Sequence, residues 1–228
     1  MTTLSLIVPV YNAPDLAARL ASRVQPFADY AATLGYDLVE AIFVDDGSSP
    51  PLSIPSDTRI RTIRIAENRG KGNAVRTAAL AARGEWALMS DVDESAPLEE
   101  FSRLAAAAAS GAWIVCGSRW ERPGVPPMRR FLSALFRIPV RLAGVRGIHD
   151  TQCGFKLFRM DRMRPIFEAQ RTERFAFDVE LILAVQHSGG IAAEVPVAWH
   201  GGQRSSLRVL HDAPRMLWDV LMLRLRSR

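Results

Sequence analysis

The chain has 228 residues, of which 48% are hydrophobic and 23% charged, a balance that supports one globular domain with a sizeable core and excludes a disordered protein. No uninterrupted apolar run approaches the roughly 18 to 20 residues that span a bilayer, and the N-terminus lacks the charged region, apolar stretch and cleavage site of a leader, so a cytoplasmic protein is expected. The net charge of +5 is carried almost wholly by arginine, Lys71 and Lys156 being the only lysines.

In chain order, residues 4–10 form a continuous apolar run that reads as a buried strand, closed by Pro9 and the turn Tyr11-Asn12-Ala13-Pro14. Leu16, Leu20, Val24 and Phe27 then recur at helical spacing, and the helix is expected to stop near Gly35. A second strand over residues 38–44 ends in Asp45-Asp46-Gly47-Ser48-Ser49, and a Pro-rich loop leads to a third strand over residues 59–65. A helix over residues 71–82 follows, then a short strand that starts at Trp86 and ends in Asp91-Val92-Asp93. Strands separated by helices of this length predict a mainly parallel sheet with right-handed crossovers, whose ligands lie beyond the carboxyl ends of the strands. Asp46, Gly70 and Asp91 all fall at those ends. Further on, Phe175, Phe177, Leu181 and Leu183 read as the packing face of a core helix.

Two carboxylates one residue apart at a strand end suit a hard divalent cation, Mg²⁺ or Mn²⁺, which takes one or two carboxylates and completes its shell with phosphate and water. The competing reading is a solvated turn in which Asp93 or Ser95 caps a helix starting near Pro97. The segment Glu67-Asn68-Arg69-Gly70-Lys71-Gly72-Asn73 opens a helix with two glycines and two cations, so a diphosphate could rest on its backbone amides. It is neither a Walker A loop nor a dinucleotide fingerprint. Cys116 and Cys153 show no metal-ligand spacing and read as reduced, partly buried thiols, and the four histidines are equally scattered.

Taken together, the motifs Ile7-Val8-Pro9-Val10-Tyr11-Asn12, Val44-Asp45-Asp46-Gly47-Ser48-Ser49, Asn68-Arg69-Gly70-Lys71-Gly72, Asp91-Val92-Asp93 and Gly117-Ser118-Arg119 resemble those of family 2 glycosyltransferases with the GT-A fold. The stretches from Asp150 to Arg159 and from Phe175 to Leu181 are similar to the branch that attaches glucose to a dolichyl or other polyprenyl phosphate. The resemblance implies an α/β GT-A domain over residues 1–206, a Rossmann-like, mainly parallel twisted sheet flanked by helices, with amphipathic helical appendages. The last of these is a basic amphipathic helix over residues 207–228.

Residue by residue, the resemblance implies that Pro9, Tyr11 and Asp46 line the nucleoside pocket and that Lys71 lies near it or near the diphosphate. Asp91 and Asp93 would hold the metal, and Arg119 would contact phosphate. Ser95 stands where related enzymes have an amide that helps hold the cation, and Ala13 where they have an acidic residue. For a phosphate acceptor, already an anionic nucleophile, Asp150 would orient the acceptor loop or sugar; for a hydroxyl acceptor it would be the base. Arg129, Arg130, Lys156 and Arg204 are the acceptor-binding candidates, and Asp178 and Glu180 either orient the acceptor loop or compensate a helix N-terminus.

Residues 131–142 and 214–228 interleave large apolar side chains with arginines, as expected at an anionic lipid surface, with docking on the sheet or a homodimer contact as the alternative. The function expected is therefore an inverting, metal-dependent transfer of glucose from UDP-glucose, a nucleotide-sugar donor, to a polyprenyl-phosphate acceptor at the inner face of the plasma membrane by a peripheral protein. GDP-mannose as donor and a soluble hydroxyl acceptor are the alternatives. A nucleic-acid partner is not expected, because carboxylates at the strand ends would repel phosphate unless a metal intervened.

Overall fold

The computed structural model describes residues 1–55, 58–119 and 140–200. In chain order its elements are β1 (Thr2–Val10), α1 (Pro14–Ser22), α2 (Val24–Thr33), β2 (Tyr36–Asp46), β3 (Ile60–Ile65), α3 (Lys71–Ala81) and β4 (Trp86–Met89). A 3₁₀ turn (Leu98–Glu100), α4 (Phe101–Ala108), β5 (Ile114–Ser118), β6 (Lys156–Arg159), α5 (Met160–Ala169), α6 (Phe177–His187) and β7 (Ala192–Pro196) follow. Among the described residues the strands form one sheet in the order β3-β2-β1-β4-β6-β5-β7. Each neighbouring pair is parallel except those of β6, which runs antiparallel to both β4 and β5.

The apolar runs are strands buried on both faces, which is why they show no alternation with polar residues. Leu6, Val8 and Val10 of β1 and Phe43 of β2 pack beneath α1, α2 and α4, against Leu20, Val24, Phe27, Phe101 and Leu104. Ile7, Ile42 and Val44 point the other way, toward Val75 and Ala78 of α3, Phe167 of α5, and Phe177 and Ile182 of α6. Phe101 receives the rings of Phe27 and Tyr36 edge-on at 5.7 and 5.0 Å. The core helix expected from Phe175, Phe177, Leu181 and Leu183 is α6, which buries Phe177, Leu181 and Leu183, whereas Phe175 precedes the helix and is partly buried.

The single helix expected from Leu16 to Phe27 is two helices that meet at Arg23, whose amide closes the last turn of α1 onto Leu20 and Ala21. Pro26 explains the break: it has no N–H to offer the carbonyl of Ser22, so one continuous helix would leave that carbonyl unpaired. The helix expected at Pro97 instead begins at Phe101 behind the 3₁₀ turn, and neither Asp93 nor Ser95 caps it.

The register positions the site. Ile7 of β1 pairs with Ile42 of β2 and with Met89 of β4, so the carboxyl ends of these strands lie side by side. Because β6 is antiparallel, its first residue, Lys156, pairs with the last residue of β4, Met89, and also with Cys116 of β5. The segment that enters β6 is thereby delivered to the same edge of the sheet as Asp91 and Arg119.

Candidate active site

Asp91 lies two residues past the end of β4, and the amide of the intervening Ser90 is still held to the sheet by the carbonyl of Ile7 at 3.1 Å. Its carboxylate accepts a hydrogen bond from Lys71 Nζ at 2.5 Å, and its side chain is 36% exposed. Burial works against the charge, yet Lys71 above all, with Lys156 and Arg119 behind it, holds the Asp91 carboxyl below its usual range and ionised. A cleft beside it is lined by Asp91, Ser95, Cys153, Gly154, Phe155 and Trp199. Trp199 is in that lining and has the Arg119 guanidinium 6.0 Å from its ring.

Asp93 uses Oδ1 locally, accepting from the amide of Ser95 at 3.0 Å and from its hydroxyl at 2.7 Å. Its carbonyl takes Arg19 Nη2 at 3.1 Å, which ties the turn to α1. Among the described residues no three His, Cys, Asp or Glu side chains converge on a metal position. An oxygen-only pair of carboxylates that leaves most of the coordination sphere to phosphate and water nevertheless fits Mg²⁺ or Mn²⁺, which do not require an all-protein cage.

The glycines around Lys71 do a different job from the one expected of them. A Cβ on Gly70 would lie 2.7 Å from the carbonyl oxygen of Glu173, and one on Gly72 would lie 2.7 Å from both Thr172 O and Phe177 Cβ. They admit the segment that leads into α6. The amides of Arg69 and Gly70 donate to Asp46 Oδ1 and Oδ2 at 3.0 and 2.8 Å, and that of Asn73 donates to the Glu173 carbonyl at 2.9 Å. These three amides therefore bind protein, and the expected backbone cradle for a diphosphate is not formed by them. Asp46, expected to face a nucleoside, is 3% exposed and ties the end of β2 to the start of α3. Tyr11, by contrast, stands 48% exposed at the end of β1, next to Pro9, which is partly exposed.

Asp150 and Arg119 form a fork. Arg119 donates to Asp150 Oδ2 from Nε at 2.7 Å and from its own backbone at 2.9 Å, and to Oδ1 from Nη2 at 2.8 Å. Burial opposes ionisation, but these bonds hold the Asp150 carboxyl below its usual range and raise the Arg119 pKa. A carboxylate so held is a poor proton acceptor, which corrects the reading of Asp150 as a base for a hydroxyl acceptor. What it does in the structure is hold the Arg119 side chain in place. Glu194 of β7, which the sequence reading missed, secures the same loop by accepting from the amides of His149 and Asp150 at 3.0 and 2.7 Å. A lone Glu in a short edge strand carried no signal for this.

Lys156, expected to meet the acceptor, is fully buried: its Nζ lies 2.7 Å from Asp178 Oδ1 and also binds the carbonyl of Cys153. Burial disfavours its charge, but the Asp178 carboxylate outweighs this and raises the pKa, so the ammonium stays protonated beneath the site rather than reaching out of it. Glu180 caps the chain from the other side, accepting from the amides of Arg171 and Thr172 at 2.9 and 2.7 Å. Burial pushes the thiols of Cys116 and Cys153 up to about 12 and about 11, so both stay protonated and inert. Arg129, Arg130 and Arg204, residues 131–139 of the first amphipathic segment and the whole of 207–228 lie outside the described residues.

Residues 5–167 match the model of the family described as Glycosyl transferase family 2. The chain belongs to that family. Among curated relatives, the dolichyl-phosphate beta-glucosyltransferase of Dictyostelium discoideum is 32% identical over 98% of this chain and 74% of its own length. The enzyme of that name, ALG5C, from Trichomonas vaginalis is also 32% identical, over 90% of this chain and 66% of its own. The chain thus spans 66% and 74% of the length of these two relatives. Glucosyl-3-phosphoglycerate synthase from Mycobacterium tuberculosis, solved with Mn²⁺, UDP-glucose and phosphoglyceric acid, superposes with a TM-score of 0.70 at 17% identity, covering 99% of this chain and 79% of that one. The fold is that of the GT-A glycosyltransferases, and the protein is an enzyme of that class.

Proposed function

We propose that the enzyme transfers glucose from UDP-glucose to a polyprenyl phosphate, with inversion, at the cytoplasmic face of a membrane to which it binds peripherally. The names of the curated relatives support the sugar and the acceptor class. The observation that carries the acceptor's chemistry is the Arg119–Asp150 fork. With Asp150 held ionised and Asp91 likewise low, neither of these carboxylates is poised to deprotonate a hydroxyl, whereas a phosphate monoester arrives as an anion and needs positioning only.

In this reading Asp91 and Asp93 hold Mg²⁺ or Mn²⁺, which when bound offsets the negative charge that builds on the departing nucleotide diphosphate. Lys71, already beside Asp91, adds its ammonium to the same region. Tyr11 offers its exposed ring to the base, and Arg119, aimed by Asp150, meets phosphate with the part of the guanidinium that Asp150 leaves open. Membrane contact is supported by the apolar and arginine pattern of residues 131–142, whose last residue, Leu142, is 55% exposed. Among the described residues no helix is long and apolar enough to cross a membrane.

The test is incubation of the purified protein with Mn²⁺ or Mg²⁺, a panel of UDP- and GDP-sugars, and undecaprenyl phosphate in detergent, with glycolipid read by mass spectrometry. A glucosyl lipid that requires UDP-glucose, metal and lipid phosphate is the expected result. A mannosyl lipid from GDP-mannose would overturn the donor, and donor hydrolysis without glycolipid would overturn the acceptor.

A further inference from the structure

Gly154 lies against the Asp91 carboxylate in the cleft. A Cβ placed on it would lie 2.5 Å from Asp91 Oδ1 and closer still to Oδ2 and Cγ, distances at which no methyl group can remain. Gly154 is not among the glycines with positive φ, so an L residue is compatible with its backbone, and the missing side chain reflects the neighbour rather than the chain conformation. We propose that Gly154 is a positioning residue for Asp91: the bare backbone at 154 forms the wall that sets where this carboxylate points, and any side chain there turns it away from the metal and nucleotide. The inference rests on the reading of Asp91 as a metal ligand.

The segment carrying Gly154 has little freedom to yield. Glu194 holds the amides of His149 and Asp150, and Arg119 grips the Asp150 carboxylate. The carbonyl of Cys153 is bound by Lys156 Nζ, and that of Phe155 accepts from the amide of Gly117 at 2.8 Å. Among the described residues the Asp91 carboxylate has one hydrogen-bond partner, Lys71, and the far end of that flexible side chain can follow it. A methyl group at 154 therefore displaces the carboxylate rather than the loop.

The test uses the full chain as wild type, G154A, D91A and D91A/G154A, each measured for melting temperature without metal and for Mn²⁺ affinity in the presence of UDP by electron paramagnetic resonance of the free ion. G154A is expected to lower the melting temperature and to weaken Mn²⁺ binding at least about tenfold, the scale seen when groups that orient a metal ligand are disturbed. In the D91A background, where the carboxylate is gone, adding G154A is expected to cost nothing further in stability, and this double variant also checks that the loop folds with alanine at 154. An equal loss of stability in both backgrounds would mean that the methyl meets something else, and the proposal falls. Wild-type Mn²⁺ affinity in G154A alongside lost affinity in D91A overturns the role of Gly154 while leaving Asp91 as a ligand. Wild-type affinity in D91A overturns the ligand reading and this inference with it.

Discussion

Replacing Lys156 with methionine isolates the electrostatics beneath the site, because methionine keeps the length and apolar character of the lysine stem while removing its charge. Lys156 and Asp178 have side chains 0% and 5% exposed, with 2.7 Å between Nζ and Oδ1. Taking away one partner leaves a buried carboxylate without its cation and frees the Cys153 carbonyl, a defect of about 3–5 kcal/mol. A domain of this size loses about 2–4 °C in melting temperature per kcal/mol, so a fall of about 6–20 °C is expected at neutral pH. Burial already drives the Asp178 carboxyl up against the opposing pull of Lys156 and Lys71, and without Lys156 it rises further. A folded-state pKa above the unfolded one means that folding takes up a proton, so Lys156→Met should regain stability as the pH falls from about 8 toward about 5. The double variant K156M/D178N, neutral at both positions, should recover much of the loss and show little of this pH dependence. Differential scanning calorimetry of the three proteins across that range is the assay. A single variant that melts within about 2 °C of wild type, or whose deficit does not shrink on acidification, would falsify the buried pair.

Asp150→Asn should cost about 1.5–3 kcal/mol in urea unfolding by breaking the charge-assisted fork, since Asp150 and Arg119 have side chains only 14% and 25% exposed. Because Asp150 is held low in the folded state, its contribution is present above the unfolded-state value of about 3.9 and is lost as the pH drops below it, so the gap between wild type and variant should close in acid; a constant gap refutes the fork. Asp93→Asn should keep its circular dichroism spectrum and lose Mn²⁺-dependent turnover by at least about 100-fold, and unchanged turnover would remove Asp93 from the metal site. Tyr11→Ala should weaken UDP binding by about 1–3 kcal/mol in isothermal titration calorimetry if the exposed ring stacks on the base, and equal affinity would assign the ring no part in it.

The local pattern of the chain carries much of the fold. The apolar runs of β1, β2 and β4 and the helical spacing of α3 are readable because burial on two faces or one imposes a period on neighbouring residues, and the Asp45-Asp46 and Asp91-Val92-Asp93 endings are readable because parallel strands present their carboxyl ends together. Pro26 was available as a break in the first helix, but apolar spacing that continued to Phe27 masked it. What each charged side chain does was not readable. Asp46 and Lys156 have the composition of ligands, yet the fold assigns the first to backbone amides and the second to a buried carboxylate. Those assignments depend on partners supplied by other elements: Arg119 reaches Asp150 across thirty-one positions of chain, and Lys156 reaches Asp178 from a different layer. The sequence by itself therefore determined the first four strands, the chemistry-bearing ends they carry and the family. The antiparallel run of β6 decided which residues surround Asp91, because side-chain neighbours across a sheet are set by strand direction and register, and these are properties of the whole packed core rather than of any local segment.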